Sequence, residues 1–412
     1  MIGHYRRYLV PITFALSISL LAGCWNSREL TDMAFAVGMG IDSVPDSNKY
    51  RVTFQIVNSG ALTAGTGGQG GTGGMPIIVI SEQSDTLYGA IRKISRKVPR
   101  RMFFGHIQLV VIGESLAQKG ITDLFDFFER SHEVRLNSTV LISRNITAEK
   151  VIEVLSPMEK ISSIGIAKRS RITSSIWAEN VNFNIADTIN GLVSPGEPVL
   201  GGVKVEGDLE ISHTDDNLKR SNPPAYVKVE GISIFKQGKL IGWLDGDLAR
   251  GLMRIRNEMK GSLLELPGEE PESKYAVVIV RSNTKIKSSL DHGRPKFTIH
   301  IKEEGTLGEA AGSSLTELNN RDNIIQIQNE WAKRTEKEIT GTVRKAQQEG
   351  SDILGFGSVL KQYHAKEWKK IEKDWPELFP GCTVDVEVEA YIRGTGMRGN
   401  SYEEKMGEEK AE

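Results

Sequence analysis

The chain has 412 residues, 39% hydrophobic and 25% charged, which is enough for two or three domains with cores of their own. Its 52 basic and 53 acidic residues leave a net charge of −1, which excludes the strongly basic footprint of a nucleic-acid-binding protein. Cys24 and Cys382 are its two cysteines, too few for a disulfide scaffold, and no later stretch offers eighteen consecutive apolar residues for a membrane span.

The first residues form a leader. A basic head with His4, Arg6 and Arg7 precedes the 14 residues from Tyr8 to Leu21, a mainly apolar run broken by Pro11 and followed by the small residues Ala22 and Gly23. That is the three-part layout of a secretory signal, and the run falls short of the ~20 residues a spanning helix needs. Leu21-Ala22-Gly23-Cys24 looks like a bacterial lipobox. Residues 1–23 are therefore expected to be a cleaved lipoprotein signal peptide, with a diacylglyceryl group on the Cys24 sulfur holding the mature chain to membrane lipid. The bland alternative is an ordinary signal with Cys24 incidental. Each buried acyl CH₂ contributes ~0.8 kcal/mol, so two or three chains on one cysteine make attachment permanent.

Residues 24–198 are predicted to be an N-terminal α/β domain. Met33 to Ile41 and the alternating Tyr50, Val52, Phe54 and Ile56 predict a hairpin across the turn-rich Asp42 to Asn48. Gly60 to Gly74 is a glycine-rich loop; it contains G-x-G-x-x-G, but Met75-Pro76 and the strand-like Ile77 to Ile80 follow it, not the helix a dinucleotide site requires. Ser84 is predicted to cap a helix with Leu87, Ile91, Ile94 and Val98 on one face and Arg92, Lys93, Arg96, Lys97, Arg100 and Arg101 on the other side and exit. Such a basic cluster suits anionic lipid headgroups, with a solvated helix face as the alternative. Strands at Gln108–Ile112 and Thr139–Ile142 alternate with helices at Thr122–Arg130 and after Thr147, which gives the α/β reading.

A small strand-rich middle domain is predicted for 199–272, with strands around Val203 and Val205, Leu209 and Ile211, Tyr226 to Phe235 and Leu240 to Trp243. A helix at Leu248, Leu252 and Ile255 follows, then a linker from Leu266 to Ser273. Residues 273–398 are predicted as a C-terminal α/β domain. It has strands at Ala276–Val280, Ile286–Leu290 and Phe297–Ile301, and a long helix from Asp322 to about Gln348 that would run roughly 40 Å and stop at Gly350. A helix from Lys366 to Trp375, ended by Pro376, and a strand from Thr383 to Ile392 complete it. The charged tail 399–412 has too little apolar content to bury and is predicted to be disordered.

No catalytic, metal or cofactor site emerges. His132-Glu133 would need histidine at Leu136 to make a zinc helix, and Asp245-Gly246-Asp247 lacks the further ligands of a calcium loop and is predicted to be a turn and helix cap. His106 is predicted to be a buried, hydrogen-bonded structural histidine, and Cys382 a small apolar residue at the start of a strand.

Several segments taken together resemble the Ger(x)C-type lipoproteins, the C subunits of spore germinant receptors. They are Cys24-Trp25 with Arg28-Glu29-Leu30; Phe104-Gly105-His106-Ile107-Gln108 running into Val111-Ile112-Gly113-Glu114; Gly120-Ile121; and Arg130, Glu133 and Arg135. Gly231 to Lys236 and Asp352-Ile353-Leu354-Gly355-Phe356-Gly357, followed by Trp368 and Trp375, extend the likeness over nearly the whole mature chain. The sequence departs from the family at Ser131-His132 and in its glycine-rich loop. The resemblance implies a three-domain α/β lipoprotein on the outer face of the spore inner membrane, working with A-type and B-type membrane subunits, with no enzymatic activity and no cofactor. A lipid-tethered solute-binding protein of an importer, with two similar lobes around a cleft, is the alternative reading; a surface hydrolase would need a triad or metal set that the sequence does not offer.

Overall fold

The computed structural model describes residues 32–58, 74–131, 133–268, 274–291, 294–311 and 321–394. The chain opens with β1 (Met33–Ser43), β2 (Tyr50–Val57) and β3 (Ile77–Ser84), continues through α1 (Leu87–Ile94), β4 (Arg101–Phe103), β5 (Leu109–Gly113), α2 (Glu114–Lys119) and α3 (Thr122–Arg130), and then β6 (Thr139–Ser143), α4 (Ala148–Glu153), α5 (Ser162–Ile176) and α6 (Ile185–Val193). After β7 (Gly201–Gly207), β8 (Ala225–Lys236), β9 (Lys239–Leu244) and α7 (Gly246–Ile255) come β10 (Ser262–Pro267), β11 (Lys274–Asp291) and β12 (Arg294–Ala311). The long α8 (Arg321–Glu349), then α9 (Phe356–Tyr363), α10 (Ala365–Ile371), α11 (Trp375–Leu378) and β13 (Thr383–Gly394) close it.

The described strands make two sheets. The first has nine, in the order β3-β2-β1-β5-β6-β7-β8-β9 with β4 beside the start of β1. Its centre, β1-β5-β6-β7, is parallel, and the flanking pairs are antiparallel. Parallel strands are covered on both faces, which is why β1 and β5 are apolar almost throughout. Met39, Ile41, Val110 and Ile112 pack under α1, α2 and α3 on one side; Leu109, Val111 and Leu141 pack under α4 and α5 on the other. Gly38 and Gly40, two apart and so on one face, let those helices press close: a Cβ on Gly38 would lie 2.0 Å from Ser163 Oγ, and one on Gly40 would lie 3.2 Å from the Ala148 backbone.

The second sheet runs β10-β11-β12-β13, with β13 parallel to β12 after the helical crossover. Phe297, Ile299 and Ile301 face α8, whose buried stripe includes Ile327, Trp331, Ile339, Val343 and Ala346, as the sequence spacing predicts. The mixed α/β class expected from the sequence is what the chain forms.

Several boundaries differ from the sequence reading. The strands of 199–272 do not form a sheet of their own: β7 pairs with β6 and carries β8 and β9 into the first sheet, while β10 pairs with β11 in the second. Leu266, expected in a linker, is thus buried in a strand. Leu209 and Ile211 lie in a turn, because Asp208 Oδ1 accepts from the Glu210 and Ile211 amides and closes an Asx-type loop. The segments 276–280 and 286–290 are one strand, since the polar residues between them keep pairing with β12. Ser84 ends β3, so the cap of α1 is Thr86, whose Oγ1 accepts from Gly89 N at 3.0 Å. Pro376 sits in the first turn of α11 instead of ending the helix before it, a place where a missing N–H costs nothing. Finally, the two sheets, nine strands against four, are not the similar lobes that a solute-binding reading requires.

Candidate functional site

What the fold builds most deliberately is a buried ionic junction where α7, leaving the first sheet, crosses α8 of the second. Gly251 makes the crossing possible, since a Cβ there would lie 2.2 Å from Thr342 Oγ1. Arg254, fully buried, donates from Nε to Glu303 Oε1 at 2.8 Å and from Nη1 to Glu338 Oε2 at 2.5 Å. Glu303 also accepts from Trp331 Nε1 at 2.8 Å and Thr335 Oγ1 at 2.9 Å. Arg250 donates to Glu338 and to Glu179, and it pairs with Asp247, which Arg334 also holds. Burial by itself would lower the Arg254 guanidinium pKa, but the two carboxylates outweigh it and raise it. Charges this deep are tolerated because they are paired and hydrogen-bonded.

A second polar knot lies close by in sequence. Asp352 is buried; its Oδ1 accepts from Phe356 N at 3.0 Å, and its Oδ2 from Gly357 N at 2.7 Å and Trp375 Nε1 at 3.0 Å. Gly355 takes φ +81° to turn the chain, and a side chain on Gly357 would strike Trp375. Burial pushes the Asp352 carboxyl up to about 6 against the pull of these donors. The backbone of Asp352 also receives Glu197 N at 3.0 Å, and Ser351 Oγ donates to Phe235 O at 2.5 Å, so this turn is stitched to the first sheet.

A third cluster joins β9 to the loop after β6. Arg144 stacks over Trp243 at 4.4 Å and holds Asp245 through both oxygens, at 2.6 and 3.1 Å. Glu114 accepts from Trp243 Nε1 at 2.9 Å and from Asn145 N at 2.7 Å. Gly231 sits under this cluster with φ +80°, where a Cβ would lie 2.5 Å from Asp245 Oδ1.

The residues singled out from sequence sort accordingly. Asp245 is the N-cap residue of α7, and both Asp245 and Asp247 spend their carboxylates on arginines. His106 is exposed, correcting the expected burial, because the turn after Phe104 carries it outward to lie against Phe35 and Phe103. Cys382 is buried, its Sγ 3.5 Å from Leu378 O, with the thiol pushed up to about 12 by burial. Cys24, His132, the tail and nearly all of the glycine-rich loop lie outside the described residues. Among the described residues no group of three His, Cys, Asp or Glu could hold a metal, and no helix is long and apolar enough to cross a membrane. The centre of the arginine–carboxylate junction was missed in the sequence because Arg254, Glu303 and Glu338 lie 35 to 84 positions apart on three elements; the polar Thr335 and Glu338 inside the apolar stripe of α8 were its one signal.

Six of the residues that carried the family likeness hold the second and third of these clusters: Glu114, Gly231, Asp352, Gly355, Gly357 and Trp375. Residues 26–205 match the family described as "Spore germination protein N-terminal domain", and residues 230–396 match "Spore germination B3/ GerAC like, C-terminal". The chain is 31% identical over 399 residues to spore germination protein KC of Bacillus subtilis (strain 168), covering 96% of this chain and 97% of that one.

The chain belongs to the Ger(x)C family of spore germination proteins.

Other Ger(x)C relatives in the same organism agree end to end. Spore germination protein B3 is 22% identical across 92% of this chain and 96% of its own, and spore germination protein A3 is 23% identical across the same shares. The crystal structure of the GerBC protein superposes with a TM-score of 0.53 at 20% identity, covering 89% of this chain and all of that one, a likeness of fold. In this chain the three polar clusters join sheets and turns.

Proposed function

We propose that this chain is the lipid-anchored, non-enzymatic subunit of a spore germinant receptor. Cys24 carries the diacylglyceryl anchor on the outer face of the spore inner membrane. The folded body contacts A-type and B-type membrane subunits and couples nutrient sensing to germination. The observation that carries this reading is the match to spore germination protein KC along 96% of this chain and 97% of that one. The use of buried charge for structural joints among the described residues supports a role in contact and coupling.

The test is genetic. Deleting the gene, or replacing Cys24 with Ala, should abolish germination in response to one nutrient class while a receptor-independent trigger still works. An unchanged nutrient response in a strain that also lacks related subunits would remove this reading. Mass spectrometry of the mature N-terminus checks the anchor separately.

A further inference from the structure

The basic cluster found in the sequence acquires a position in the fold. β4 pairs in parallel with the first residues of β1, so that Arg101 lies opposite Met33 and Phe103 opposite Phe35. Met33 is only nine positions on from Cys24, which at ~3.6 Å per residue holds this corner within roughly 30 Å of the point where the chain would enter the membrane. Arg96, Arg100 and Arg101, on the segment that runs from the end of α1 into β4, are exposed, and none of their side chains makes a hydrogen bond or a close ion pair among the described residues, Arg96 acting on the Glu82 carboxylate only through the field. The lysines of the cluster are occupied: Lys97 pairs with Glu82 at 3.1 Å, and Lys93 donates to Gln83 O at 3.0 Å.

Beside the arginines stands an aromatic group on the surface. Phe103 is 37% exposed, and its ring lies edge-on to Phe35 at 5.8 Å and to His106 at 5.3 Å. Gly105 permits this, since a Cβ there would lie 2.9 Å from Phe103 Cζ. Free arginines next to exposed rings are the chemistry of a headgroup interface, where cations meet phosphate and rings sit at the polar–apolar boundary.

From these observations we infer that the α1–β4 corner, through Arg96, Arg100, Arg101 and Phe103, is a docking face for an anionic phospholipid surface that orients the body on its tether. The inference deepens the anchored-subunit reading and rests on it, because the tether is what brings this corner to the bilayer. Its charge and aromatic chemistry nevertheless predict lipid binding without the anchor. The occupant is a bilayer because the corner lies at the tethered end and combines delocalised positive charge with surface rings.

The test uses the mature chain from residue 24 with Cys24→Ser, floated with vesicles of phosphatidylglycerol and phosphatidylcholine or of phosphatidylcholine alone. The chain should bind the anionic vesicles and not the neutral ones, and should be released by 0.5 M salt. Arg96→Gln/Arg100→Gln/Arg101→Gln should weaken binding at least about tenfold, since each basic residue near such a surface contributes about fivefold. Lys285→Gln/Lys287→Gln, on β11, should leave it unchanged. Far-UV circular dichroism confirms that each variant is folded. Equal binding to both vesicle types, or undiminished binding by the triple variant, overturns the inference. So does a triple variant that loses germination but still binds anionic vesicles, which would point to an acidic protein partner. Absence of lipid on Cys24 would remove the anchoring reading while leaving the vesicle result to stand or fall by itself.

Discussion

Asp352 shows how much one buried carboxylate sets locally. Its folded-state pKa of about 6 lies above that of an unfolded aspartate, so the folded protein binds the proton more tightly. Stability from this site is complete below about pH 4 and is lost as pH rises through about 6, a change on the order of 3 kcal/mol. Asp352→Asn cannot titrate. Its stability deficit relative to the native protein, measured by urea unfolding, should therefore be larger at pH 4.5 than at pH 7.5; an equal deficit at both would mean that Asp352 titrates normally. The motif Asp352 to Gly357 is visible in the sequence as a family likeness, but its purpose is not. The Trp375 indole that completes the knot lies 23 residues further on, and nothing in the local pattern says that it returns.

At the scale of elements, α8 carries the clearest sequence signal and the least expected contents. Its apolar spacing predicts the helix and its buried side correctly, because the 3.6-residue period is local. Glu338 in the same stripe pairs with Arg254 and Thr335 donates to its partner Glu303, so removing that cation would leave the fully buried Glu303 with no cation and Glu338 with Arg250 and Arg334 alone. Arg254→Met should cost about 3–5 kcal/mol in urea or guanidinium unfolding, well beyond the loss of an exposed ion pair. A cost near 1 kcal/mol would show that the junction relaxes or hydrates readily. The strand β11 makes the opposite point. Its polar middle, Arg281 to Lys285, interrupts the apolar alternation and divides it into two segments in the sequence, yet pairing with β12 continues through it, past a register shift between Ile279 and Arg281. Strand continuity depends on the neighbour, and the neighbour is not a local property.

For the whole molecule, the decisive feature is a core shared between the sheets. Ile232 and Ile234 of β8 and Leu244 of β9 belong to the same buried cluster as Phe297, Trp331 and Phe356, while the adjacent Phe235 turns into the other core of the first sheet. A core continuous across a junction unfolds with it. Hydrogen exchange should accordingly give the amides of β5 and β12 the same limiting protection. Distinctly lower protection in β12 would mean that the second sheet opens independently.

The sequence by itself determined the mixed α/β class, the positions of the long helix and most strands, and the family, because periodicity, caps and short ordered motifs are written within a few residues of one another. Only the tertiary structure decided that residues 199–272 are shared between two sheets, that Arg254 meets Glu303 and Glu338, and that Arg101 stands opposite Met33. These pairings join residues dozens of positions apart. They are settled by which faces can be buried together and which charges can be satisfied there, a competition among all the elements that no single stretch of the chain encodes.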